Sequence, residues 1–121
     1  MQKILLAEDD VFFSSLLVRA FQKEGYDIQA VFDGVQVTEK VGSWQPDILL
    51  LDLLMPNKGG YEVLGELRAD EKTSKFPVVI LSNLGQPEDV EHANKFNVAG
   101  YFIKANTTPH ELVEKIRVLL T

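Results

Sequence analysis

The chain contains no cysteine. Disulfide bonds and thiolate metal sites are therefore excluded, and a reducing cytosol suits it. Long hydrophobic runs are missing as well. Ile48 to Leu51 is typical of what is there, far below the ~20 residues that span a bilayer. Basic residues are the minority: 12 lysines and arginines stand against 18 aspartates and glutamates, a net charge of −6. A field of that sign disfavours direct nucleic-acid binding and suits cations and basic partner surfaces. One early lysine is followed too soon by Glu8 for a signal peptide, so a cytoplasmic protein without membrane insertion is expected. With 121 residues, against about 100–200 per domain, residues 1–121 are expected to form one domain. Apolar residues at 45% and charged residues at 25% match globular averages and exclude disorder.

What the chain does have is a fivefold alternation of short apolar runs and amphipathic stretches. Ile4 to Ala7, Ile28 to Phe32, Ile48 to Leu51, Val78 to Leu81 and Tyr101 to Ile103 read as strands. Phe13, Leu16, Leu17, Ala20 and Phe21 recur at helical spacing, and Gly25 supplies a stop. Asp33 can cap a short helix through Val35, Val37 and Val41. Tyr61, Val63, Leu64 and Leu67 mark a third helix, preceded at Gly59-Gly60 by a turn expected to need unusual backbone angles. Pro87 is placed to open a fourth helix reaching Phe96. Thr108 and Glu111 around Pro109 form a capping box for the last. Strands that are apolar throughout are buried on both faces, as parallel sheets covered by helices require. The expectation is an α/β doubly wound five-stranded parallel sheet with five helices. No repeat, linker, low-complexity tract or tethered output domain is visible in the chain.

Ligands in such folds bind beyond the carboxyl ends of the strands. Glu8, Asp9 and Asp10 follow the first strand, Asp52 the third, Ser82 the fourth and Lys104 the fifth. Two carboxylates ~4 Å apart repel by about 4 kcal/mol at an effective dielectric of ~20, so gathered acids need a cation or raised pKa values. All-oxygen ligands favour Mg²⁺, or Mn²⁺, over Zn²⁺. Mg²⁺ commonly joins protein carboxylates to a phosphate, and an Asp beside it can act as a nucleophile toward phosphorus. Lys104 and the Ser82 hydroxyl are placed to hold the remaining phosphoryl oxygens.

Bland readings stand beside these. Asp10 reads as the N-cap of the first helix, His92 and His110 as surface residues without ligand spacing, and Trp44 as packing. Tyr101 suits core packing with a surface hydroxyl.

Four segments in order, Ile4 to Asp10 (ILLAEDD), Pro46 to Pro56 (PDILLLDLLMP), Pro77 to Ser82 (PVVILS) and Gly100 to Lys104 (GYFIK), make the whole chain resemble the CheY-like receiver domains of two-component response regulators. The resemblance implies the flavodoxin-like strand order 2-1-3-4-5, which the general rule for this fold also illustrates with CheY. It implies Asp52 as phosphoacceptor, Asp9 as a direct Mg²⁺ ligand, Glu8 acting through a metal-bound water, and the Leu54 backbone carbonyl as a further ligand. It implies Ser82 as the switch hydroxyl, Tyr101 as the switch aromatic, and Lys104 as the phosphoryl-binding lysine. The implied partners are a sensor histidine kinase or histidine phosphotransfer protein and an unknown output protein or domain. The responding surface is helix four, strand five and helix five, through which active receivers often dimerise. The implied protein is a phosphoacceptor regulator, not an enzyme with a substrate of its own.

Two positions depart from the pattern. Ala105 stands where the family has proline with a cis bond; cis costs a non-proline residue ~2.5–4 kcal/mol, which leaves the isomer at Lys104–Ala105 open. Asn83 replaces the usual small residue after the switch hydroxyl. Leu54 and Leu84 put apolar groups where polar ones often align a water, and slow hydrolysis of the acyl phosphate is expected. Three other functions compete: a phosphate-independent interaction module with the same fold, an aspartyl-nucleophile phosphatase and a flavodoxin-like electron carrier. Glu8-Asp9-Asp10-Val11 lacks the D-x-D form of the phosphatase, and its three acids would repel a flavin phosphate.

Overall fold

The computed structural model describes residues 2–121. Five parallel strands, β1 (Lys3–Ala7), β2 (Asp27–Val31), β3 (Ile48–Leu51), β4 (Val78–Ser82) and β5 (Gly100–Ile103), form one sheet in the order β2-β1-β3-β4-β5. Helices α1 (Val11–Lys23), α2 (Val35–Trp44), α3 (Gly60–Ala69), α4 (Pro87–Asn94) and α5 (Pro109–Leu120) connect and close it, with a 3₁₀ turn at Lys104–Asn106. Among the described residues no helix is long and apolar enough to cross a membrane.

The period of two along each central strand divides the core into two layers. Leu5 and Ala7, Leu49 and Leu51, Val78 and Ile80 pack with Val37 and Val41 of α2, Val63, Leu64 and Leu67 of α3, and Ala93 of α4. Ile4 and Leu6, Ile48 and Leu50, Val79 and Leu81 pack with Leu17 and Phe21 of α1 and Leu112, Val113 and Ile116 of α5. This two-sided burial explains why β1, β3 and β4 read as unbroken apolar runs. β5 is half-buried along its length, since an edge strand pairs on one side alone.

The caps follow local chemistry. The Asp10 side chain accepts the amide of Phe13, and Asp33 accepts that of Gln36. Thr108 and Glu111 form the capping box on α5. The fourth helix ends at Asn94 rather than Phe96, followed by Asn97 in the left-handed region at φ 56°. Gly59-Gly60 corrects the reading of that turn. Gly59 has an ordinary φ of −71°, and neither glycine has positive φ. Gly60 is needed for close approach: a Cβ there would lie 2.6 Å from the Leu53 Cα and 2.8 Å from the Asp52 carbonyl oxygen. That approach folds the start of α3 back over the end of β3.

Candidate functional site at the carboxyl edge of the sheet

Backbone pairing extends past the strands and sets the site residues in place. The Glu8 amide donates to the Val31 carbonyl (3.1 Å) and the Asp52 amide to the Ala7 carbonyl (3.0 Å), so Glu8 and Asp52 emerge side by side from β1 and β3. In β4 and β5, Ser82 is opposite Ile103, which puts Lys104 one step beyond the serine.

Glu8, Asp52 and Ser82 are buried and Asp9 is exposed. Carboxylate oxygens of Glu8, Asp9 and Asp52 all lie within 4.8 Å of one another. The Lys104 ammonium reaches between two of them. It donates to Asp52 Oδ2 at 2.8 Å and pairs with Glu8 Oε1. Asp52 Oδ1 accepts the Leu54 amide at 3.1 Å, and Glu8 Oε2 the Asp10 amide at 3.0 Å. Glu8 Oε1 has the ion pair and no hydrogen bond. The Phe13 ring, 5.4 Å from the Lys104 ammonium, covers it from α1.

Burial pushes the Glu8 carboxyl above its ordinary pKa and Asp52 adds to the rise, while Lys104 opposes it. Burial also works against the charged Lys104, but its pairing with Asp52 and Glu8 outweighs it, and the ammonium holds its proton more tightly than a free lysine. The site thus carries one firmly charged cation among three acids at neutral pH.

Ser82 and Tyr101 are joined through one residue. The Leu84 amide donates to Ser82 Oγ at 3.2 Å, and the Leu84 carbonyl accepts the Tyr101 hydroxyl. Burial first, then the neighbouring Tyr61 and Asp89, push the Tyr101 phenol up to about 12. The Leu84 backbone thus links the serine to the tyrosine.

The structure brings together Glu8, Asp9, Asp52, Ser82 and Lys104 and ties Tyr101 to the serine. It shows Leu54 through its amide on Asp52, with the side chain 60% exposed beside the site. Sequence reasoning missed Phe13 over the lysine, whose helical spacing marked it as core, and the Leu84 backbone, which has no side-chain signature. His92 is exposed, as expected of a surface residue, yet its ring lies 4.3 Å from that of Tyr61 and 5.9 Å from that of Phe96, stacking α4 on α3. Trp44 packs on the core, with the Lys3 ammonium 5.5 Å from its ring. Among the described residues no peptide bond is cis, so Lys104–Ala105 is trans. Asn83 accepts the Ala105 amide.

Known proteins are similar to this chain in sequence and fold. RpaA of Synechocystis sp. strain PCC 6803, named a DNA-binding dual master transcriptional regulator, is 33% identical over 99% of this chain and 49% of its own length. The chain spans about half the length of the curated relatives first matched. The Francisella response regulator 1452 receiver domain superposes with a TM-score of 0.90 at 27% identity, covering 99% of this chain and 97% of that one. The Mn²⁺-bound form of response regulator Rcp1 superposes at 0.84 with 25% identity, covering 97% and 92%. The sequence model of the response regulator receiver domain matches residues 4–117, so these strand-end acids, hydroxyl and lysine sit on a chain that belongs to that family.

Proposed function

We propose that the protein is a phosphoacceptor switch in which Asp52 takes a phosphoryl group from a phosphohistidine of a sensor kinase or histidine phosphotransfer protein. The observation that carries this reading is the Lys104 ammonium held against both Asp52 Oδ2 and Glu8 Oε1 at the ends of three different strands. An Asp52 carboxylate oxygen forms the new bond to phosphorus, the P–N bond breaks, and its electron pair stays on the imidazole nitrogen, which regains a proton. Lys104 moves from pairing with the free carboxylate to neutralising phosphoryl oxygens, and the Ser82 hydroxyl supplies a further donor. The Leu54 amide fixes the rotation of the nucleophile through Oδ1.

The donor set fits a hard divalent cation. It is all oxygen, and its carboxylates converge within 4.8 Å. Glu8, Asp9, Asp52 and the Leu54 carbonyl would hold it. A bound Mg²⁺ or Mn²⁺ would supply charge neutralisation for the acidic group and the transferring phosphoryl. The Mn²⁺-bound Rcp1 supports that choice of ion.

A phosphoryl oxygen that accepts the Ser82 hydroxyl draws Oγ inward and away from the Leu84 amide, and the Leu84 carbonyl then releases Tyr101. The face formed by α4, β5 and α5 changes in consequence. It meets a cytoplasmic output partner, a second receiver or a domain of the same protein; the DNA-binding relatives favour the last. The apolar Leu54 and Leu84 beside the site leave the attacking water without an aligning group, so the acyl phosphate persists for minutes or longer.

The test is incubation with Mg²⁺ and acetyl phosphate, read by intact mass, with Asp52→Asn as control. One phosphoryl group added to the protein and none to the control is the expected result. No adduct under any condition favours the phosphate-independent interaction module, and turnover of many equivalents favours a phosphatase. Loss of the adduct within seconds contradicts the slow hydrolysis.

A further inference from the structure

Two short loops carry the site's hydroxyl and its cation. Residues 83–86 follow Ser82 into α4, and Lys104–Asn106 follow β5 toward α5. Three contacts tie the first loop to β5 and to the turn that follows it. Tyr101 donates to the Leu84 carbonyl on the inner side. Gly85 lies so close to Ile103 that a Cβ would come within 3.2 Å of its Cδ1. On the outer side, Asn83 Oδ1 accepts the Ala105 amide at 3.0 Å. This last bond joins the residue after Ser82 to the residue after Lys104. It requires both departures from the family pattern at once, since a small residue at 83 has no acceptor and proline at 105 has no N–H.

We infer that Asn83 is a positioning residue that acts through the Ala105 amide to hold the Lys104 ammonium between Glu8 and Asp52. The lysine side chain is long and flexible, and its stem springs from a three-residue turn. A tether on the next residue fixes the direction in which that stem leaves the backbone. The same tether ties the lysine to the loop that moves when Ser82 engages the phosphoryl group, so cation and switch hydroxyl move as a unit. Tyr101 can release Leu84 without opening the outer bond, which makes Asn83 the pivot of the loop. The inference rests on the phosphoacceptor reading for its kinetic consequence, but the positioning of Lys104 is readable without it.

The experiment measures the rate of Asp52 phosphorylation by acetyl phosphate with Mg²⁺ for wild type, Asn83→Ala, Lys104→Ala and the double variant. Asn83→Ala is expected to lower the rate about 3–10-fold, the range a typical net hydrogen bond supports. In the Lys104→Ala background the same change is expected to have no further effect, because Asn83 acts through the lysine. Mn²⁺ affinity should be unchanged by Asn83→Ala, and Asn83→Asp, which keeps the acceptor, should recover the rate. A rate within twofold of wild type for Asn83→Ala, or effects that multiply in the double variant, overturns the proposal. If the wild type takes up no phosphate, the phosphoacceptor reading fails, and the ¹⁵N signal of the Lys104 ammonium decides the positioning role. The signal is expected to be sharp in wild type and broadened in Asn83→Ala; equal signals overturn the proposal.

Discussion

The helices on either side of the site are held in different ways. α1 runs 13 residues, is capped by Asp10, and buries Ser14, Leu17 and Phe21 against the sheet. α4 runs 8 residues and buries Ala93 alone. β1, which leads into α1, is buried at Ile4 to Ala7, whereas β5, which follows α4, is half-buried throughout. Beyond Ala93, α4 is held by the stacking of His92 on Tyr61 and by Arg68 at its C-terminal end, whose guanidinium donates to the Phe96 carbonyl at 2.7 Å. The α1 side is thus firmly packed, and the α4 side is lightly packed. Apolar area buried sets how far an element can shift before the fold fails, and α4 has little of it to lose.

The sharpest contrast is expected from core truncation. Phe21→Ala should cost about 3–5 kcal/mol in chemical denaturation, as large aromatic truncations do. Next in size is the acidic pair beside α1. Glu8→Gln should weaken Mn²⁺ binding roughly 10–100-fold, the range for a group acting on a metal through an intermediary. Its effect on stability has the opposite sign. Burial raises the Glu8 pKa, so the folded state binds the proton more tightly than the unfolded chain, and ionisation above the folded value subtracts stability. The glutamine variant should therefore be at least as stable as wild type at pH 7, and a less stable variant would show that the ion pair with Lys104 dominates.

On the other side, Ala93→Gly should cost about 1 kcal/mol, the penalty of glycine inside a helix. A loss matching Phe21→Ala would erase the distinction between the two helices. An effect of similar size is expected at Tyr101, where the hydroxyl bond to Leu84 contributes about 0.5–1.5 kcal/mol. Its pKa is raised to about 12, so the unfolded chain loses this proton first and stability should fall as pH rises from about 10 to about 12. Tyr101→Phe should reduce that fall and the late-titrating tyrosinate absorbance, leaving the share of Tyr61, whose phenol burial also pushes up.

Most of this architecture was legible in the amino-acid pattern. Unbroken apolar runs at Ile48 to Leu51 and Val78 to Leu81 report burial on both faces, and the polar residue that ends each run reports the edge where ligands gather. Thr108 and Glu111 announce α5 because capping is local chemistry. What escaped depends on contacts between distant segments. Phe13 reads as one more apolar position in a helix until the fold brings it 5.4 Å from Lys104. Leu84 joins serine to tyrosine through backbone atoms that every residue has. Gly60 is a glycine because β3 passes beneath it, not because the turn demands a special φ. Asn83 and Ala105 look like two separate departures, and their hydrogen bond shows that they belong together.

The most direct measurement is amide hydrogen exchange with and without acetyl phosphate and Mg²⁺, on wild type and Asp52→Asn. Phosphorylation is expected to alter exchange across residues 83–104 and to leave 11–23 as they were, with no change anywhere in the Asp52→Asn protein. Equal changes in both helices, or the same changes in the variant, would contradict an anchored α1 and a responsive α4 governed by Asp52.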